Sequence, residues 1–118
     1  RKLESEISYA KAQAKVQLES MRVAYRKLTG ALSSSEERIN SLQLAIALAQ
    51  KNAANSREEI SYLRKQLIIG QSTLDSVLSA EARLYEAEAK EINFRAEILL
   101  ARMEVLATAG MLSDIFGL

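Results

Sequence analysis

The amino-acid sequence predicts an all-α protein, a long antiparallel helical hairpin of the coiled-coil type. The 118 residues include no proline and only four glycines, a composition typical of long helices. Apolar residues recur at alternating spacings of three and four over most of the chain, as in a heptad repeat. A helix-stop signal at Gly70 is followed within a few residues by a helix-start signal, so a single sharp turn is expected there.

The first helix is expected over residues 3–69. Its apolar positions follow the alternating spacing without interruption: Leu18, Met21, Tyr25, Leu28, Leu32, Ser35, Ile39, Leu42, Ile46, Ala49, Ala53, Ser56, Ile60, Leu63 and Leu67. Such a seam is typical of a helix that packs lengthwise on a neighbour. Upstream, Leu3, Ile7, Ala10 and Ala14 keep the spacing, except for one extra step of four at Leu18, a stutter that relaxes a supercoil locally.

Residues 30–35 are the weak place in this helix. Gly30 costs ~1 kcal/mol relative to alanine in a helix interior, and Ser35 ahead of Glu36 and Glu37 has the features of an N-cap. The alternative fold is therefore a three-helix bundle with a break near Gly30 and Ser35. Because the heptad phase is kept across the segment, we favour a continuous helix.

The turn is expected at residues 70–72, between the first helix and a return helix over residues 73–109. Gly70 suits the left-handed backbone of a helix C′ position, and Ser72 with Asp75 three residues later resembles a capping box. A short apolar tail, residues 110–118, is expected to follow the return helix.

The return helix carries two apolar stripes. The first comprises Leu78, Ala82, Tyr85, Ala89, Ile92, Ala96, Leu99, Met103 and Leu106, and is the predicted seam. The second comprises Val77, Leu84, Ile98, Ala101 and Val105. Two stripes make the apolar face wider than a two-stranded coil needs, so this helix is expected to have neighbours on both sides.

The composition argues against catalysis and against nucleic-acid binding. Sixteen basic and fifteen acidic residues are interleaved, with a net charge of +1, which leaves no basic block for a nucleic acid. Histidine and cysteine are absent, and with them the common general base, thiol nucleophile and soft metal ligands. We predict no enzymatic activity, cofactor or metal site, and interpret Glu86, Glu88 and Glu91 as salt-bridging partners of nearby basic residues.

The residues around the turn resemble those of a known family. The spacing GxxTLxxVLxAxxxLYxA is similar to the periplasmic tip of the TolC family of outer-membrane channel proteins, which serve efflux pumps and type I secretion. Here it is carried by Gly70, Thr73, Leu74, Val77, Leu78, Ala80, Leu84, Tyr85 and Ala87. With the AxxGML sequence at Ala107 and Gly110, the resemblance covers nearly the whole chain but only one of the two helical hairpins of a family member.

The resemblance implies a location and partners. Residues 1–118 are expected to be a single hairpin from the periplasmic α-helical barrel of an outer-membrane channel in a Gram-negative bacterium. Such a channel is a homotrimeric, passive conduit whose helical tips open when a periplasmic adaptor and an inner-membrane transporter engage. The alternative is a structural or adaptor hairpin like those of membrane-fusion proteins. Because the sequence starts at Arg1 without an initiator methionine, we expect it to be a piece of a longer protein.

The resemblance also implies site residues at the tip. Ser76 and Ser79 stand where the family has two aspartates that narrow the tunnel, and Asp75 lies one place before them. With Ser72 they form the expected pore-tip set, although the alternative is that Asp75 only caps the helix and the serines are simply exposed. The expected adaptor-docking set comprises Tyr62, Leu67, Ile68 and Gly70. A place in the core is the alternative for Tyr62, Leu67 and Ile68, as it is for the neighbouring Leu63.

Such a hairpin leaves the start of the chain without a partner. A return helix ending near residues 106–110 reaches only residues 31–35, so an arm of residues 3–30 stays uncovered. Burying each large apolar side chain is worth ~1.5–3 kcal/mol, and this arm carries Leu18, Met21, Tyr25 and Leu28. We therefore expect the isolated chain to self-associate through the arm, most simply as a two-fold antiparallel dimer.

Overall fold

The structure, a computed structural model that describes residues 1–117, consists of two α-helices joined by a short turn. Helix α1 spans Lys2–Ile68 and helix α2 spans Leu74–Phe116. No strand occurs in the described part of the chain. The predicted all-α helical hairpin is confirmed, while Leu118, the last residue of the predicted tail, lies outside the described residues.

In the unit formed by Glu37–Arg102, the two helices bury a narrow seam against each other. The buried residues of α1 all belong to its predicted seam: Leu42, Ala49, Ala53, Ser56 and Ile60. Those of α2 are Val77, Ala80, Ala87, Ile98 and Ala101. Most of these residues are alanine or serine, and short side chains at a helix contact let the two backbones approach closely.

The stripe of α2 that packs on α1 is not the predicted seam. The second stripe is covered instead, because Val77, Ile98 and Ala101 are buried. The first stripe is largely exposed, including Tyr85, so the expectation that Tyr85 is a seam residue is wrong within this chain. Both stripes have helical spacing, and spacing alone does not decide which of two stripes meets the neighbour supplied by the same chain.

In the other unit, residues 1–36 together with the chain from Met103 onward, helix α1 continues without a break. Gly30 and Ser35 are both helical, so the alternative three-helix bundle is wrong. Leu28 and Leu32, on either side of Gly30, are both half-buried, so the heptad seam continues across the glycine. The Thr29 hydroxyl also donates to the carbonyl of Tyr25 at 2.8 Å, a bond that helices accommodate.

Helix α2 continues past the predicted end at residue 109. Gly110 is helical, and the helix ends only at Phe116, so the tail expected at residues 110–118 is wrong for the residues up to 116. The physical reason is that Leu112 and Phe116 are half-buried and continue the spacing of Val105 and Thr108. The burial of these two side chains stabilises the additional turns of α2. A glycine such as Gly110 ends a helix only when its backbone adopts the left-handed conformation.

The longer α2 shortens the uncovered arm. The Phe116 ring meets that of Tyr25, so the end of α2 reaches this position of α1. Every residue from 1 to 23 is exposed, and burial begins at Ala24. The predicted boundary at residue 30 is therefore wrong, and the uncovered arm comprises residues 1–23.

Candidate functional site

The tip begins where α1 is closed by a Schellman motif. Gly70 has a φ of 75°, the left-handed conformation that glycine adopts without penalty. The Gly70 N–H donates to the Leu67 carbonyl at 3.1 Å, and the Gln71 N–H donates to the Gln66 carbonyl at 2.7 Å. These two bonds satisfy carbonyls that a helix end otherwise leaves unpaired. The prediction that Gly70 occupies the C′ position is confirmed.

The cap of α2 lies one residue later than predicted. Thr73, and not Ser72, is the N-cap, because its hydroxyl oxygen accepts the N–H of Ser76 at 3.2 Å. The hydroxyl oxygens of Thr73 and Ser76 also lie 2.9 Å apart. The Ser72 hydroxyl instead donates to the Thr73 carbonyl at 3.4 Å. Asp75 is thus the second residue of the helix, where its charge still opposes the helix dipole.

The predicted pore-tip residues lie together at the start of α2. Asp75, Ser76 and Ser79 are exposed and Ser72 is half-buried. The first three line a shallow groove of about 310 Å³, together with Glu59, Leu63 and Arg83. Ser76 also takes part in the cap, so the cap and the groove share a residue. Arg83 donates to Glu59 at 2.7 Å, which places a paired cation beside the hydroxyls.

The predicted adaptor-docking residues differ in exposure. Tyr62 and Ile68 are exposed, at 61% and 85%, whereas Leu67 is half-buried and Gly70 lies in the turn. The alternative of a core position therefore holds in part for Leu67 and fails for Tyr62 and Ile68. Ile68 lines an open cleft of about 680 Å³, whose lining includes Ile60, Leu84, Tyr85 and the charged residues Arg64 and Glu81, but not Tyr62.

Ion pairs join the two helices along the tip half of the hairpin. Arg57 donates to Glu88 at 2.8 Å, Arg83 donates to Glu59 at 2.7 Å, and Arg64 pairs with Glu81. Within α2, Lys90 pairs with Glu86 and Arg95 with Glu91. The interpretation of Glu86, Glu88 and Glu91 as salt-bridging residues is confirmed. Except for Glu91, which is 25% exposed, these side chains are substantially exposed, and such exposed pairs contribute only ~0–1 kcal/mol each.

The largest feature that the sequence did not assign to a site is the exposed first stripe of α2. Within Glu37–Arg102 it comprises Leu78, Ala82, Tyr85, Ala89, Ile92, Ala96 and Leu99, and is called the outer stripe below. Its large members are more than half exposed, with Leu78 at 52%, Tyr85 at 75%, Ile92 at 67% and Leu99 at 56%. Four large apolar side chains exposed on one helix face make the outer stripe a candidate interaction surface.

No group of acidic side chains that would hold a metal ion occurs in residues 1–117. Neither helix contains, within those residues, a segment long and apolar enough to span a bilayer. Comparisons with protein-family models, curated proteins and solved structures each find no match to this chain.

Proposed function

We propose that the chain is a segment of the periplasmic helical tunnel of a TolC-like outer-membrane export channel. The observation that supports this proposal most is the outer stripe, which gives α2 a second apolar face besides the one packed on α1. A helix in the wall of a helical barrel has a neighbour on each side, and such a helix needs two apolar faces. The residues GxxTLxxVLxAxxxLYxA at the tip give the proposal its family.

In the proposed tunnel the hairpin acts passively. The outer stripe packs on a helix from the other hairpin of the parent protein, and three subunits close the wall around a water-filled conduit. The tip of α2 faces the narrow end, where Ser76 and Ser79 present hydroxyls and Asp75 presents a charge. A periplasmic adaptor and an inner-membrane transporter engage the tips, and no bond is made or broken in transport.

A second candidate function is that of a self-contained adaptor hairpin, as in membrane-fusion proteins. The interhelical ion pairs Arg57–Glu88, Arg64–Glu81 and Arg83–Glu59 favour it, because they tie both helices of one chain together without outside help. The outer stripe distinguishes the two functions. A tunnel wall covers it permanently within the assembled subunits, whereas a free-standing hairpin leaves it available to a changing partner.

The test uses the full-length parent protein in Gram-negative cells. Ile92→Glu introduces a charge into the middle of the outer stripe and is expected to reduce both the trimer recovered from the outer membrane and the export of substrate at least tenfold. Asn55→Glu is the matched control, because it places the same charge at an exposed polar position of α1. Normal trimer and export in the Ile92→Glu protein would contradict the tunnel proposal.

A further inference from the structure

We propose that the outer stripe of α2 is a self-complementary surface on which a second copy of the chain packs α2 against α2, antiparallel, about a two-fold axis between Lys90 and Glu91. The inference does not rest on the proposed function. The outer stripe lies within Glu37–Arg102, and its spacing, the sizes of its residues and the charges beside it all fit this pairing.

The sizes of the stripe residues fit an antiparallel pairing. Large residues occupy one heptad position, at Leu78, Tyr85, Ile92 and Leu99, and alanine occupies the other, at Ala82, Ala89 and Ala96. In an antiparallel coiled coil the two positions face each other across the interface. A two-fold axis between Lys90 and Glu91 sets Ile92 against Ala89, Tyr85 against Ala96 and Leu99 against Ala82 of the second copy. The layers of Tyr85, Ile92 and Leu99 then each combine one large and one small side chain.

The charges beside the stripe fit the same pairing. One flank of the stripe carries four charged residues, each directly before a position of the stripe's heptad pattern: Glu81, Glu88, Arg95 and Arg102. The proposed axis brings Glu81 towards Arg102 of the second copy and Glu88 towards Arg95 of the second copy. The symmetry repeats each attraction, so four pairs of opposite charge line the interface.

A parallel pairing lacks this complementarity. In a parallel coiled coil each flanking residue faces the residue five places later in the partner, so Glu81 would face Glu86 of the second copy. Glu88 and Arg95 would then face Asn93 and Leu100. The charges that flank the stripe therefore attract each other in an antiparallel dimer, whereas Glu81 and Glu86 repel each other in a parallel one. This difference favours the antiparallel orientation.

The ion pairs inside the hairpin are compatible with the dimer. Glu81 and Glu88 already bind Arg64 and Arg57 of α1, and each carboxylate has further lone pairs for a second cation. The outer face of α1 is a poorer partner for the stripe, because Leu48 and Tyr62 are separated there by Lys51, Asn55 and Glu58, all exposed. The complementary surface within this chain is therefore the outer stripe itself.

The first experiment measures association by sedimentation equilibrium in a Leu18→Glu background, which keeps the arm out of the interface. The parent chain is expected to be dimeric at micromolar concentration. Arg102→Glu sets a second carboxylate against Glu81 at both symmetry-related places and is expected to weaken the dimer about tenfold, as is Glu81→Arg, which sets two cations together. An equimolar mixture of the two variants restores both attractions and is expected to regain the parent affinity.

The control for net charge is Arg38→Glu, at an exposed position of α1 away from the stripe, which is expected to leave the dimer unchanged. The register is measured with a spin label at Ser79→Cys, since the chain has no other cysteine. The proposed axis places Ser79 opposite Arg102, so the two labels are expected about 35 Å apart along the helices, at ~1.5 Å per residue. A distance below about 20 Å, as a parallel dimer gives, would overturn the proposal.

A monomeric mass at 100 μM, or failure of the mixture to associate better than either variant alone, would also overturn the proposed dimer. Neither result touches the tunnel proposal, in which a helix of different sequence covers the same stripe.

Discussion

The aromatic rings of Tyr25 and Phe116 meet edge to face, with centroids 5.6 Å apart and planes at 87°. This geometry is the favoured one for two aromatic rings, because the positive edge of one meets the negative face of the other. Phe116 is the last residue of α2, so the contact coincides with the end of the return helix. We infer that it helps to keep the last turns of α2 helical beyond Gly110.

Phe116→Ala is therefore expected to fray the end of α2. The ring contact and the half-buried area together are worth about 1–2 kcal/mol, enough to lower amide-exchange protection over residues 111–117 roughly tenfold. Met111→Ala, which truncates a side chain that is 55% exposed, is the control and should leave protection nearly unchanged. Equal protection in the Phe116→Ala chain would show that the ring contact does not hold the helix end.

Gly30 and Gly70 are expected to respond to alanine in opposite directions. Neither has another atom within 4 Å of the position that a Cβ would take, so the backbone alone decides. Gly30→Ala should raise the free energy of unfolding by ~0.5–1 kcal/mol, because Gly30 is helical. Gly70→Ala should lower it by ~1–2 kcal/mol, because φ is 75° there. Urea unfolding at one fixed protein concentration measures both, and a gain from Gly70→Ala would contradict the Schellman turn.

Thr73 and Ser72 provide a test of which residue caps α2. Thr73→Ala removes the acceptor of the Ser76 N–H and is expected to cost ~1 kcal/mol of unfolding free energy. Ser72→Ala removes only a 3.4 Å bond to the Thr73 carbonyl and is expected to change stability by less than ~0.5 kcal/mol. The reverse order of the two effects would support the cap that the sequence predicted.

In the proposed channel, Ser76 and Ser79 are expected to give a weaker cation preference than a tip with two aspartates. A carboxylate near a narrow, low-dielectric pore attracts cations more strongly than a hydroxyl does. Ser76→Asp with Ser79→Asp in the full-length protein should therefore shift the reversal potential in planar bilayers towards greater cation selectivity. An unchanged reversal potential would place both residues away from the constriction.

The sequence predicted the elements of the fold because local rules govern them. Gly70 ends α1 as expected, and the seam from Leu42 to Ile60 is buried as expected. The errors arose where packing decides. Thr73 and Ser72 are equally plausible caps by residue type, and only the chain geometry shows which hydroxyl reaches the third amide of α2. Gly110 has the composition of a helix end, but the docking of Phe116 keeps it helical.

The outer stripe shows the same limit for the candidate site. The sequence predicted two apolar faces on α2 and neighbours on both sides, but spacing alone did not decide which face packs on α1. The positions of the alanines do not distinguish the two faces of α2. The buried face has Ala80 and Ala87, and the outer stripe has Ala82 and Ala89. Glu81 and Glu88 pair with Arg64 and Arg57 of α1, but exposed pairs worth ~0–1 kcal/mol each do not decide which face packs.

Self-association through the arm, residues 1–23, stays a prediction, and the structure sharpens its test. The arm's seam residues are exposed, with Ile7 at 48%, Leu18 at 52% and Met21 at 38%. The seam positions of the arm are symmetric about Ala14. Ile7 and Met21 lie equally far from it along the chain, and so do Ala10 and Leu18. A two-fold antiparallel dimer needs this symmetry, since it pairs each residue with its mirror position.

If the arm and the outer stripe are two independent interfaces, substitutions in each are expected to change the mass of the assembly in a predictable way. The unsubstituted chain is expected to form assemblies larger than a dimer at high concentration. Leu18→Glu removes the arm contact and Ile92→Glu removes the stripe contact, so each variant is expected to stop at a dimer. The chain with both substitutions is expected to be a monomer with unchanged helicity by circular dichroism, because both side chains are more than half exposed within one chain.

Tyr25 is unsuitable for this test, since its ring contacts Phe116. A monomeric Ile92→Glu variant would show that the arm does not associate by itself.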